Sequence, residues 1–172
     1  MKAIILGGAR CLAADMAAAR ELFEPDLVIA TNHAGRDQAR VDHWVTFHPE
    51  LFPMWVAARE RRALPGGYQL WTAKHKKVPR GLEVCHVKGC GGSSSLLAVV
   101  VGEHLGCTHM VCCGVPLLAD EAHYDKAGPW ADARKYYPAW EKHLPRLKER
   151  VRSMSGWTRD LLGPPTAAWL GI

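Results

Sequence analysis

Short apolar runs, each closed by a glycine or another turn residue, alternate along this chain with stretches of helical character, and that alternation limits its folds most. Lys2-Ala3-Ile4-Ile5-Leu6 ends at Gly7-Gly8, and Thr108 to Cys113 ends at Gly114-Val115-Pro116. Runs this short that are apolar throughout read as strands buried on both faces, as in a parallel sheet. Asp26 to Ala30 and His43 to Phe47 read the same way. Tyr68 to Thr72, Glu83 to Val87 and Val151 to Ser155 carry weaker strand signals.

The intervening stretches are helical. Ala13 to Phe23 is rich in alanine and leucine and is broken by Pro25. Pro49 suits the first turn of a helix that runs to about Arg62 and stops at Pro65-Gly66-Gly67. Gly89 to Ser95 opens a strongly apolar helix to Leu105, with Gly106 as its terminator. From Trp130, Tyr137, Trp140, Leu144, Leu147 and Val151 recur at helical spacing, and Pro138 and Pro145 are each expected near the start of a short helix. Thr31 to Gly35 and Leu117 to Pro129 are expected as loops. The prediction is an α/β fold: one Rossmann-like, three-layer domain over residues 1–172, with a mostly parallel sheet of about five strands and helices on both faces. In such sheets ligands lie beyond the carboxyl ends of the strands. The loops after Leu6, Ala30, Phe47, Val87 and Cys113 therefore matter most.

Composition narrows the setting. No apolar run approaches the ~20 residues of a membrane helix, and the short run at Ala3 to Leu6 reads as a strand rather than a signal peptide, so a cytoplasmic protein is expected. The six cysteines contain no C-x-x-C pair, and neighbours Cys112 and Cys113 would face opposite sides of a strand. Buried free thiols, without disulfide or zinc, are expected. The net charge of +5 is concentrated at Lys74 to Arg80 and Lys142 to Arg152, which suits phosphate-bearing partners or simply solvated faces. The basic residues lack the aromatic interleaving of single-strand binders, which weighs against nucleic acid without closing that question. Self-association is left open.

Gly91-Gly92-Ser93-Ser94-Ser95, at the start of a helix, is the strongest candidate for a site. Unpaired N–H groups and the helix dipole favour an anion there, glycines allow close approach and hydroxyls add donors. An ordinary N-cap also uses serine, but two glycines and three serines exceed what a cap needs. Gly7-Gly8-Ala9-Arg10 is a second phosphate-type turn that lacks the full G-x-G-x-x-G pattern and the P-loop lysine. Arg10 in it suits a phosphate or solvent. Asp42-His43 and His48-Pro49-Glu50 bracket the third strand and supply a carboxylate and imidazoles for ribose, metal or proton, although Glu50 equally suits a helix's first turn. His123-Tyr124-Asp125 sits in the long loop, where active-site lids are often found.

Three segments carry a resemblance: Gly91 to Ala98 continuing to Leu105-Gly106, the strand closing on Gly114-Val115, and Val151 to Trp157. In this order they resemble the Rossmann-like superfamily of 6-hydroxymethylpterin pyrophosphokinases and flagellin-modifying, sialyltransferase-like glycosyltransferases. Asp42 to Glu50 and Arg152 to Leu162 are also similar to small proteins of phages and prophages. The resemblance implies nucleotide or nucleotide-sugar binding. The leading expectation is a transferase with its donor phosphates on Gly91 to Ser95, Gly7-Gly8 and Gly114. Asn32 or Asp42 would hold the nucleoside, and His48 or His123 would act as base. A pyrophosphokinase, with Mg²⁺ on Asp42, Glu50 or Asp120, is the enzymatic alternative. A non-catalytic phage accessory protein, docking through Trp157, Leu161, Leu162 and Trp169, is the other.

Overall fold

The structure, a computed structural model, describes residues 1–124, 128–129 and 131–172. In chain order the strands are β1 (Lys2–Leu6), β2 (Leu27–Thr31), β3 (His43–Val45), β4 (Gln69–Ala73), β5 (Cys85–Val87), β6 (His109–Cys113) and β7 (Val151–Ser153). The helices are α1 (Leu12–Leu22), α2 (Asn32–Asp37), α3 (Phe52–Arg61), α4 (Ser94–His104), α5 (Tyr137–Leu147), α6 (Gly156–Leu162) and α7 (Ala167–Leu170). Short 3-10 turns at Pro49–Leu51 and Ala131–Tyr136 lead into α3 and α5.

All seven strands form one parallel sheet in the order β5-β4-β3-β2-β1-β6-β7. The fold is α/β and Rossmann-like, with seven strands where about five were expected. The weak runs near Gln69 and Cys85 pair, and Val151–Ser153 adds an edge. For β5 and β7 the weakness has a physical source, since both are three-residue edge strands with few positions to carry a pattern; β4 is a five-residue interior strand to which that reason does not apply.

Alternation across the sheet sorts the core into two layers. Ala3, Ile5 and Cys112 pack with α4, Trp140 and Leu162 on one face. Ile4, Leu6 and Cys113 pack with Leu12, Ala34, Phe52, Trp55 and Leu170 on the other. Cys112 and Cys113 thus face opposite layers, and all six cysteines are free thiols. Burial pushes the Cys112 thiol up to about 12. From Leu96 to Gly102 α4 is apolar or glycine and, apart from half-buried Val100, fully buried, as expected of a helix whose middle lies against the sheet and its neighbours. It carries the chain back from the β5 edge and contacts β1 through β6 on the way. With right-handed crossovers, reversing the direction of travel along a sheet moves the connecting helix to the opposite face. The chain therefore diverges between β1 and β6, and a crevice opens there.

Three local expectations need correction. Residues 32–37 form α2 rather than a loop. Its far end is capped from a distance by Arg59, 1% exposed, whose guanidinium donates to the carbonyls of Gly35, Gln38, Ala39 and Pro65. Pro145 lies inside α5 rather than near a helix start. β3 ends at Val45 because the Phe47 N–H leaves the ladder for the Ser94 hydroxyl, 3.2 Å away. Trp130 and Asp125 fall outside the described residues. Among those described, no helix is long and apolar enough to cross a membrane.

Candidate functional site

The crevice is built first from backbone. Gly7 N–H donates to Cys113 O at 2.8 Å, and Ala9 N–H to Gly114 O at 3.1 Å, which lashes the turn after β1 to the turn after β6. A methyl group on Gly7 would lie 2.1 Å from Gly114 O, so this glycine is demanded by strand-to-turn packing. At Gly8 a methyl would lie 2.0 Å from His123 Nε2. The imidazole of His123 thus covers the first glycine turn. Both glycines make room for protein atoms, the shape explanation of this turn.

Gly114, at φ +68, is held by a residue the sequence reading passed over. Asp15, 7% exposed in the first turn of α1, accepts from Gly114 N–H at 2.8 Å and from the Ser155 hydroxyl at 2.7 Å. In the sequence Asp15 looks like an acid complementing a helix dipole, so only the fold reveals that it fixes the β6 turn. The Cys11 thiol, 3.3 Å from Ser155 Oγ, is pushed up to about 11, chiefly by burial.

The opposite wall is the start of α4. Ser93 is its N-cap, accepting from Leu96 N–H at 3.4 Å, and its hydroxyl lies 2.7 Å from that of Ser95. The hydrogen-bond ladder of α4 begins with Leu97 N–H donating to Ser93 O at 3.0 Å. By helix geometry the N–H groups of Ser94 and Ser95 have no intrahelical acceptor. The serines do more than cap: Ser94 also ties down the backbone after β3 through Phe47. Gly91 adopts φ +70 with open space beside it, whereas the space beside Gly92 is filled by Leu96 and Ala139.

The third side comes from β2 and β3. Asn32 adopts φ +46, a left-handed conformation that asparagine tolerates better than most residues. Its Oδ1 accepts from the Thr46 hydroxyl at 2.7 Å, and Thr46 Oγ1 accepts from His48 N–H at 2.9 Å. The His48 imidazole presents Nδ1 to Glu50 Oε1 at 3.2 Å. Tyr124, following His123, is anchored by donating its hydroxyl to Asp37 at 2.7 Å. Burial alone would raise the Asp37 carboxyl, but hydrogen bonds from Arg36 and Tyr124 and the charges of Arg36 and Arg62 outweigh it and hold it at about 2.

Gly7, Gly8, Asn32, His48, Ser93, Ser94, Ser95, Gly114 and His123 thus line one cavity of about 140 Å³, together with Glu121. A second cavity of about 310 Å³ adjoins it, sharing His48, Ser93, Ser94 and Tyr136, and is lined by Gly91 and Gly92. The two together fall within the ~300–1,000 Å³ range of small-molecule sites. Two expected residues lie elsewhere. Asp42 stands at the amino end of β3, where its carboxylate accepts from Val28 N–H at 2.7 Å and faces Arg40 Nε at 3.2 Å. It braces the end of the sheet opposite the crevice. Arg10 is exposed and lines neither cavity. No protein-family model matches this chain, and no significant match is found among curated proteins or solved structures.

Proposed function

We propose that the protein binds a nucleotide-activated donor, above all a nucleotide sugar, in the crevice between β1 and β6 and transfers the activated group to an acceptor hydroxyl. One observation carries the reading. Ser93 to Ser95 at the start of α4, the Gly114 turn and two histidines on separate loops line one cavity where the strand order reverses. In this reading the donor diphosphate lies against Ser94 and Ser95 N–H, and the Asn32 amide binds the nucleoside. Asp42, at the opposite end of the sheet, drops out of both roles assigned to it. His48 is the base: a Nδ1 proton directed to Glu50 leaves Nε2 as acceptor, the arrangement by which a carboxylate orients a catalytic imidazole. The acceptor oxygen bonds to the donor's activated carbon, and its proton passes to His48 Nε2. The carbon–oxygen bond to the diphosphate breaks, and the electron pair leaves with it. Charge on the departing diphosphate is stabilised by the α4 N–H groups and by His123.

This reading keeps the implication of the superfamily resemblance. Its pyrophosphokinase branch would have to replace Asp42, Glu50 and Asp120, none of which lines either cavity, with Glu121, a carboxylate that does line the crevice, since Mg²⁺ bound with substrate phosphates needs only one or two protein carboxylates. The accessory-protein reading loses its motivating feature. Trp157, Leu161, Leu162 and Trp169 pack on the protein's own two core layers, and Trp157 stacks on Tyr137 at 3.7 Å.

A thermal-shift screen with nucleotides and nucleotide sugars, with and without Mg²⁺, tests the proposal. A ligand at 100 times its Kd adds about 2.7 kcal/mol, which raises Tm by roughly 5–10 °C in a chain of this size. His48→Gln should retain that shift and lose transfer to an acceptor. If no nucleotide or nucleotide sugar raises Tm, the reading is wrong.

A further inference from the structure

The second cavity is bordered by the basic stretch at Lys74 to Arg80, through His75 and Lys76. That stretch follows β4 and holds Lys74, Lys76, Lys77 and Arg80, with no carboxylate before Glu83. Its backbone is pinned: Lys74 N–H donates to Val87 O at 2.8 Å and Lys76 N–H to Ala73 O at 2.9 Å. Lys76 and His75 are thereby held in the cavity wall with Phe47. The Lys76 ammonium sits 5.9 Å from the centre of the Phe47 ring, and the His75 ring 6.1 Å from it. Among the described residues Lys76 has no carboxylate partner, so a half-buried cation faces a cavity large enough for a sugar. The cavity meets the first one at His48, Ser93, Ser94 and Tyr136.

We infer that this second cavity is an acceptor subsite for an anionic, hydroxyl-bearing small molecule whose carboxylate or phosphate pairs with Lys76 while its hydroxyl reaches His48. Calling it an acceptor site rests on the transfer reading above; the anion subsite itself does not. Phe47 supplies an apolar floor for the carbon skeleton. The charge-bearing end is thereby separated from the reacting end, as selection among acceptors requires.

The test uses the full chain and three matched probes: glucose, glucuronate and glucose 6-phosphate. Binding is followed by calorimetric titration at low salt, where surface charge is least screened. Lys76→Glu is compared with Arg20→Glu, an equal charge change on exposed α1 at the other face of the sheet, and both variants are checked by circular dichroism. Both anionic sugars should bind more tightly than glucose. Lys76→Glu should weaken them by about tenfold or more, since like charges brought together are costly, and Arg20→Glu should not. The stronger of the two anionic probes identifies the group recognised. Equal affinity for glucose, absence of binding at millimolar concentration, or equal loss in the two variants overturns the inference. Titrating the same variants with nucleotide sugars separates the two readings. If anionic sugars depend on Lys76 but no nucleotide binds, the transfer reading fails and the anion subsite stands.

Discussion

Gly7→Ala and Gly8→Ala add the same methyl group to adjacent residues, and the structure makes their costs very different. At Gly7 the new carbon would lie 2.1 Å from Gly114 O and 2.7 Å from Val115 Cγ2, against about 3.4 Å for ordinary contact. Relief requires the turns after β1 and β6 to part by about 1 Å, because the nearest obstacle is backbone. That backbone is itself fixed by the Gly7 to Cys113 bond and by Asp15 on Gly114 N–H. Overpacking of this kind costs about 1–3 kcal/mol, and disrupting one or two buried hydrogen bonds adds about 1 kcal/mol each. Gly7→Ala should therefore lose about 2–5 kcal/mol of the ~5–15 kcal/mol typical of a domain. At Gly8 the obstacle is the tip of the His123 side chain rather than backbone, so relief requires only that this ring shift against its contacts with His33 and Tyr124. The cost there should stay near 1 kcal/mol, as for a modest off-rotamer or repacked side chain. Urea denaturation followed by tryptophan fluorescence and far-UV circular dichroism measures both, with the m-value checking that each transition stays two-state. Equal destabilisation by the two variants, or a Gly7→Ala protein as stable as the parent, would refute the packing argument.

Other predictions follow from the polar groups. Asp37 is held at about 2 against an ordinary 3.8, so its contribution is present above pH 4 and is lost as pH falls toward 2. The loss should be on the order of 2 kcal/mol at most, and Asp37→Asn should flatten the urea midpoint across that window; an unchanged slope argues against the pairing with Arg36, Tyr124 and Arg62. Arg59→Leu strips four carbonyls of their donor and should cost about 3–5 kcal/mol, roughly 1 kcal/mol for each acceptor left unsatisfied. Arg59→Lys, without the planar fork, should recover only part of it, and a neutral Arg59→Leu in denaturant titration would show that α2 does not depend on this cap. Cys112, buried and pushed up to about 12, should react with a thiol reagent at pH 8 no faster than the protein unfolds. Stopped-flow labelling complete before unfolding contradicts that burial.

The α/β class was legible because its evidence is local. A run such as Lys2–Leu6 can only be buried on both faces, Gly106 at φ +81 ends α4 where a glycine terminator was expected, and the alternation of such runs with helices leaves few folds. The convergence of Gly7, Gly114 and Ser93 to Ser95 was legible too, because the carboxyl edge of a parallel sheet is where such turns collect. What tertiary structure alone decided are facts about partners distant in the chain. Asp42 and His48 bracket one strand in the sequence, yet a strand has two ends, and only His48 stands at the end where the crevice opens. Asp15 and Gly114 are separated by 99 residues, so no local pattern marks the carboxylate as the support of that turn. Gly8 reads as room for a phosphate until the fold sets the ring of His123 in that space. A residue type states what a side chain can bond; which of its possible partners it meets is set by long-range packing, and that packing separates the crevice residues from the braces behind them.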